Sequence, residues 1–89
     1  MKLKYAFVQR EVAGRWVAVA VGKDQSNFNG MIKLNHTGAF IMGQLIEGER
    51  TREQILEAML ERYDVTRQRA EQNLDSVLES LRQGGLLVE

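Results

Sequence analysis

Apolar and polar positions divide the chain into a strand-like first third and a helix-like remainder. Residues 5–12 (Tyr5-Ala6-Phe7-Val8-Gln9-Arg10-Glu11-Val12) and residues 16–21 (Trp16-Val17-Ala18-Val19-Ala20-Val21) flank Ala13-Gly14. Two such runs across a short glycine-containing turn predict a β-hairpin. In the second run Val17, Val19 and Val21 share one face, and Trp16, Ala18 and Ala20 share the other. The small residues on that second face predict close packing by another element. Residues 22–30 read as a loop, in which Phe28 is the one large apolar residue and is expected to plug the core. A third strand is predicted over residues 31–35, with Ile32 and Leu34 pointing one way and Met31, Lys33 and Asn35 the other.

From there the apolar spacing becomes helical. Asn35 or Thr37 can cap a first helix that runs through Ile46 and stops at Gly48. Gly43 inside it costs about 1 kcal/mol relative to Ala unless close packing requires it. Thr51-Arg52-Glu53-Gln54 has the form of a capping box, followed by an apolar face of Ile55, Leu56, Met59, Leu60 and Tyr63. Thr66 can cap a third helix whose face is Ala70, Leu74, Val77, Leu78 and Leu81, ended by Gly84-Gly85. Leu86-Leu87-Val88 forms a short apolar tail that is expected to fold back on the core. Three strands followed by three helices predict an α+β fold of the winged helix-turn-helix kind, a single domain over residues 1–89.

Composition narrows the chemistry. The chain has 89 residues and no Cys, so it can supply no thiolate nucleophile, disulfide or Cys-bound metal cluster. His36 is the lone histidine, and its position at the strand-to-helix step reads as a partly exposed residue helping the helix start. Asp24, Glu47, Glu49, Glu53, Asp64 and Asp75 are scattered through polar surroundings, which gives no carboxylate an environment that raises its pKa. Gly38 and Gly43 flank an apolar helix and no Lys-Ser/Thr follows, so there is no phosphate loop. Ser26, Ser76 and Ser80 have no histidine at a usable position. Catalysis by this chain is not expected, nor a cofactor of its own. No apolar run approaches the ~18 residues of a membrane span, and the start of the chain lacks the apolar stretch of a signal peptide; the expected location is the cytoplasm.

Lys plus Arg and Asp plus Glu number 12 each. Nucleic-acid binders usually carry a basic excess. Arg50, Arg52, Arg62, Arg67 and Arg69 lie near helix starts and turns, where a helix-turn-helix contacts phosphates. Glu47, Glu49, Glu53, Glu57, Glu61 and Glu71 alternate with them, which reads as a solvated, mixed-charge face. What remains is a binding surface: a small sheet has edges with unpaired backbone groups, and an edge beside a helix can take an extended peptide as an added strand. Such an edge can also pair with a second copy, which would give a homodimer.

The stretch Ile32-Lys33-Leu34-Asn35-His36-Thr37-Gly38-Ala39-Phe40-Ile41 resembles the Leu-Asn-x-Thr-Gly/Ala-x-x-Ile signature of the PqqD-like family. These are small proteins named for pyrroloquinoline quinone synthesis and also called RiPP precursor recognition elements. Thr51-x-x-Gln54-Ile55, Tyr63-Asp64-Val65, Ala70-x-x-Asn73-Leu74-x-x-Val77-Leu78-x-x-Leu81 and Gly85-Leu86-Leu87 continue the resemblance along nearly the whole chain. Met42 stands where the family often has Trp, Asn73 where Asp is common, Val77 where Phe is common, and Gly43 replaces a better helix former.

The resemblance implies a non-catalytic protein that binds the leader segment of a ribosomally made precursor peptide. It would present the precursor to a modifying enzyme, often a radical S-adenosylmethionine (radical SAM) protein. It implies a leader taken as an added strand against residues 31–35, in a groove closed by the third helix. The residues expected to bind peptide are then Met31, Ile32, Lys33 and Leu34 on the strand and Arg69, Asn73, Ser76, Val77 and Ser80 on the helix. The alternative is a winged-helix DNA-binding protein; a third reading is a structural subunit of the enzyme with no affinity for the peptide.

Overall fold

The structure is a computed structural model, and it describes residues 1–25 and 30–89. Phe28 and Ser26 lie outside the described residues. Strand β1 (Lys2–Leu3) precedes a hairpin of β2 (Phe7–Val12) and β3 (Arg15–Ala20). A single 3-10 turn, Gly22–Gln25, follows, and then β4 (Met31–Leu34). Three helices come next: α1 (His36–Glu47), α2 (Arg52–Arg62) and α3 (Arg67–Gln83). The chain closes with β5 (Leu87–Val88). The α+β architecture is the one that the periodicity predicts. Its main addition is a second, two-stranded antiparallel sheet of β1 and β5, with Leu3 opposite Leu87. The tail therefore folds back as expected, and does so as a strand.

The larger sheet has the antiparallel order β2-β3-β4. Its hairpin turn is Ala13-Gly14, with φ of 53° and 78°, the left-handed pair that two-residue hairpins require. Phe7 lies opposite Ala20, Gln9 opposite Ala18, and Trp16 opposite both Glu11 and Leu34. These residues form the inner face. Ala18 and Ala20 are buried there, which is the close packing that their size predicts. Helix α1 packs on β1 through β4, and α2 and α3 pack on α1 and on each other. Ile41, Met42, Ile55, Leu56, Met59, Leu74 and Leu78 are the largest fully buried side chains.

The helix ends follow local chemistry. Asn35, not Thr37, caps α1: its Oδ1 accepts from the Gly38 N–H at 2.7 Å. The third strand accordingly ends at Leu34. Thr51 and Gln54 form the complete capping box, and the Thr66 hydroxyl accepts from the Arg69 N–H. Tyr63 is not in the helical run of α2 but is its extended C-cap, and its ring meets Phe40 edge-on at 5.5 Å.

Gly43 has a long-range reason. The Gln9 side chain crosses from β2 and donates from Nε2 to the Ala39 carbonyl at 2.8 Å. A Cβ on Gly43 would sit 3.1 Å from that same Nε2. Gly43→Ala should therefore lower stability by about 1 kcal/mol, because overpacking outweighs the helix-propensity gain. In a Gln9→Ala background the same change should raise stability by about 1 kcal/mol. Urea unfolding of the four proteins of this cycle checks both signs.

Candidate functional site

Strand β4 is an edge strand: β3 lies on one side and no strand on the other among the described residues. Beyond its free edge stands α3. No Cα of β4 comes within 8 Å of one in α3. The gap between them is a groove of about 440 Å³. Met31, Ile32, Lys33 and Leu34 form its strand side, and Ser76, Val77, Ser80 and Leu81 its helix side. Asn35 and Gly38 close one part of it, and Gly84 and Leu86 another.

Each wall follows from the sequence beneath it. The alternation in β4 half-buries Ile32 and Leu34 toward the core and leaves Met31 and Lys33 exposed. Leu81 on α3 is buried, Val77 is half-buried, and Ser76 and Ser80 are exposed beside them. The helix thus presents an apolar seam edged by two small hydroxyl side chains. Leu86 arrives by a different route. Its amide donates to the Leu81 carbonyl at 2.9 Å, and its carbonyl accepts from Lys4 at 2.8 Å. Gly85, at φ 71°, makes the reversal that returns the chain to this point.

Seven of the nine residues that the sequence singles out for peptide contact line this groove: Met31, Ile32, Lys33, Leu34, Ser76, Val77 and Ser80. Arg69 and Asn73 do not line it. They are exposed nearer the start of α3, around a separate polar hollow of about 320 Å³ with Thr66, Gln68 and Gln72. The groove is also lined by Asn35, the end of the strand that the sequence reading assigns to pairing, and by Gly38, Leu81, Gly84 and Leu86, which that reading does not name for peptide contact. The Gly84-Gly85 break followed by apolar residues was the available signal for the last two. His36 is exposed as the first residue of α1, its ring 6.5 Å from that of Trp16. Among the described residues no group of three or more His, Asp or Glu could hold a metal ion, and no helix is long and apolar enough to cross a membrane.

Ion pairs between α2 and α3 set where the helical wall stands. Arg52 donates to both Asp75 oxygens, at 2.8 and 3.0 Å, and to Glu71 at 3.3 Å. Arg67 reaches back to Glu53 at 2.7 Å. Arg82 binds Glu89 through two nitrogens, at 2.7 and 2.9 Å, and so ties the end of α3 to the tail. Of the arginines that a helix-turn-helix would spend on phosphates, Arg50, Arg52 and Arg67 are here paired with carboxylates.

Hydrogen bonding from Arg52 lowers the Asp75 pKa, that from Arg67 lowers Glu53, and that from Arg82 lowers Glu89. A carboxylate lowered in the folded state adds stability that is present above its unfolded pKa and lost as pH falls through the folded one. Thermal stability should therefore hold down to ~pH 4.5 and decline below it. Arg52→Gln should shrink the decline, because Asp75 then titrates as it does in the unfolded chain. Melting curves for the two proteins from neutral to acid pH test this, and parallel pH profiles would refute it.

This architecture is shared by two solved structures. TbiB1 in complex with the TbiA(beta) leader peptide matches with a TM-score of 0.72 at 28% identity, over 98% of this chain and 94% of that one. A lasso peptide synthetase B1 complexed with the leader peptide matches with a TM-score of 0.68 at 20% identity, over 99% and 96%. The second likeness bears on the fold alone. A family model described as coenzyme PQQ synthesis protein D matches residues 15–87. A comparison with curated protein sequences found no match.

Proposed function

The chain belongs to the family of coenzyme PQQ synthesis protein D, and on that footing we propose that it is a non-catalytic adaptor for a ribosomally made precursor peptide. It takes the leader segment as a fourth strand beside β4 and presents the rest of the precursor to a modifying enzyme, a radical SAM protein or another peptide-modifying catalyst. The observation that carries this reading is the open edge of β4 facing an apolar groove walled by α3. The 28% identical neighbour with the same architecture has a leader peptide bound.

The chemistry of that joint suits an extended peptide. A strand pairs at about 4.8 Å from its neighbour and turns alternate side chains to opposite faces. Backbone groups of residues 31–34 supply hydrogen bonds that any sequence can use. Ile32, Leu34, Val77 and Leu81 supply apolar surface that discriminates among inward-pointing leader residues. Ser76 and Ser80 offer small hydroxyls at the helix side without filling the slot. Arg69 and Asn73 would meet only a leader that runs on along α3 beyond the groove.

Affinity should be read with a labelled leader from a short peptide encoded beside this chain's gene, by fluorescence polarisation. Ser80→Trp fills the slot from an exposed position, and Val77→Asp puts a charge on its apolar seam. Each should weaken binding by about tenfold or more, which corresponds to ~1.4 kcal/mol, while the protein still melts cooperatively. Added salt should change wild-type affinity little, unlike the steep loss that counterion release gives a DNA complex. Undiminished affinity in both folded variants would remove the leader from this groove.

A further inference from the structure

Among the described residues, helix α1 covers one face of the β2-β3-β4 sheet and the other face is bare. The register of the sheet fixes what the bare face displays. Val8, Val19 and Met31 lie side by side across the three strands, Arg10, Val17 and Lys33 form the next row, and Val12 with Arg15 ends it. Val8, Val12 and Met31 are 39%, 54% and 58% exposed. The one acidic residue in these strands, Glu11, pairs with Trp16 on the opposite, inner face. The bare face therefore carries five apolar side chains, three cations and no carboxylate.

Those cations differ from most of the cations in the helical part of the chain. Among the described residues Arg50, Arg52, Arg67 and Arg82 hold carboxylates, and Arg62 and Arg69 do not. Arg10, Arg15 and Lys33 form no ion pair among the described residues. The zero net charge conceals a segregation. Residues 1–35 contain six Lys or Arg against two Asp or Glu, and residues 36–89 contain six against ten.

A hollow of about 420 Å³ opens at the rim of this face, lined by Val12, Arg15, Val17 and Lys33 from the bare side and by Trp16 and Leu34 of the inner face, with Asn35. Lys33 and Leu34 belong to the groove as well, so the two sites meet across β4. An apolar hollow with two unpaired cations suits an apolar side chain flanked by carboxylates.

We propose that this bare face is a second docking surface, occupied by an acidic segment of the peptide-modifying enzyme with one apolar side chain in the hollow. The identity of the occupant rests on the adaptor reading given above. Size and tethering favour the enzyme over a second copy of this chain. Three short strands span roughly 300 Å², taking ~4.8 Å between strands and ~3.3 Å per residue. That is far below the ~800 Å² per partner of a stable interface. A contact this small holds a partner that is already tethered, and the precursor is the tether: its leader is on the adaptor and its core is in the enzyme, which raises their effective concentration. A leader strand beside β4 also widens the bare face by one strand, so the loaded adaptor offers the larger surface.

The test uses Arg10→Glu/Arg15→Glu, whose side chains are exposed and outside the groove. Amide shifts are first recorded against a poly-glutamate peptide. They should concentrate at residues 8–17 and at Lys33 in the wild type and vanish in the variant. Shifts spread over the helices, or none, would overturn the proposal. Binding is then measured to the peptide-modifying enzyme encoded beside this chain's gene, with and without precursor. The variant should keep leader affinity within about twofold and lose enzyme affinity by about tenfold, with a gap that narrows as salt rises. Three results would overturn the proposal: unchanged enzyme affinity, leader alone shifting Val12, Arg15 and Val17, or duplex DNA displacing poly-glutamate from this face. A wild-type protein that binds the enzyme here but no leader would instead refute the adaptor reading.

Discussion

Helix α1 can lie against the sheet because the central strand offers it Ala18 and Ala20, at 0% and 4% exposure, where larger side chains would hold it away. The Gln9 amide bound to the Ala39 carbonyl fixes its height over β2, with Gly43 making room. From that seat α1 carries α2 and α3, so α3 is placed relative to β4 through an intermediary rather than by direct packing. This is why the slot between them stays open. A direct apolar contact between β4 and α3 would bury their facing residues and leave nothing to receive a peptide.

What was legible in the sequence is what local chemistry decides. Asn35, Thr51 with Gln54, and Thr66 mark helix starts because a side chain within a few residues satisfies the orphan amides. Alternation around Ile32 and Leu34 reveals a strand because its period is two. The groove was only partly legible, since it depends on which residues meet across the fold. The helical residues chosen from the resemblance run from Arg69 to Ser80, a stretch of helix roughly 17 Å long. Only the later part of that stripe faces β4. Nothing near Gly38 announces a groove, and the Gly84-Gly85 break announces only that the chain turns before Leu86; Gly38 matters because Asn35 caps there, and Leu86 because Lys4 holds it. Two-residue strands such as β1 and β5 are too short for any period to show.

The ion pairs between α2 and α3 are exposed, and each is weak alone. Their effect lies in geometry. Arg52 spans Glu71 and Asp75 on neighbouring turns of α3, and Arg67 returns the contact to α2, so sliding one helix along the other breaks several bonds together. Among the described residues Arg52 and Arg67 are spent on such pairs, whereas Arg10, Arg15 and Lys33 on the sheet form none.

The ladder of β1 with β5 joins the two ends of the chain, and Leu86 beside it lines the groove. Closing so long a loop carries a large entropy cost, and contacts of that kind form late. The β2-β3-β4 sheet and the helices can assemble without that closure, yet one end of the slot is built from residues that follow α3 and lead into β5. The wall at Gly84 and Leu86 therefore stands only once β5 has found β1: fraying this two-residue ladder would loosen one end of the slot and leave the edge of β4 intact.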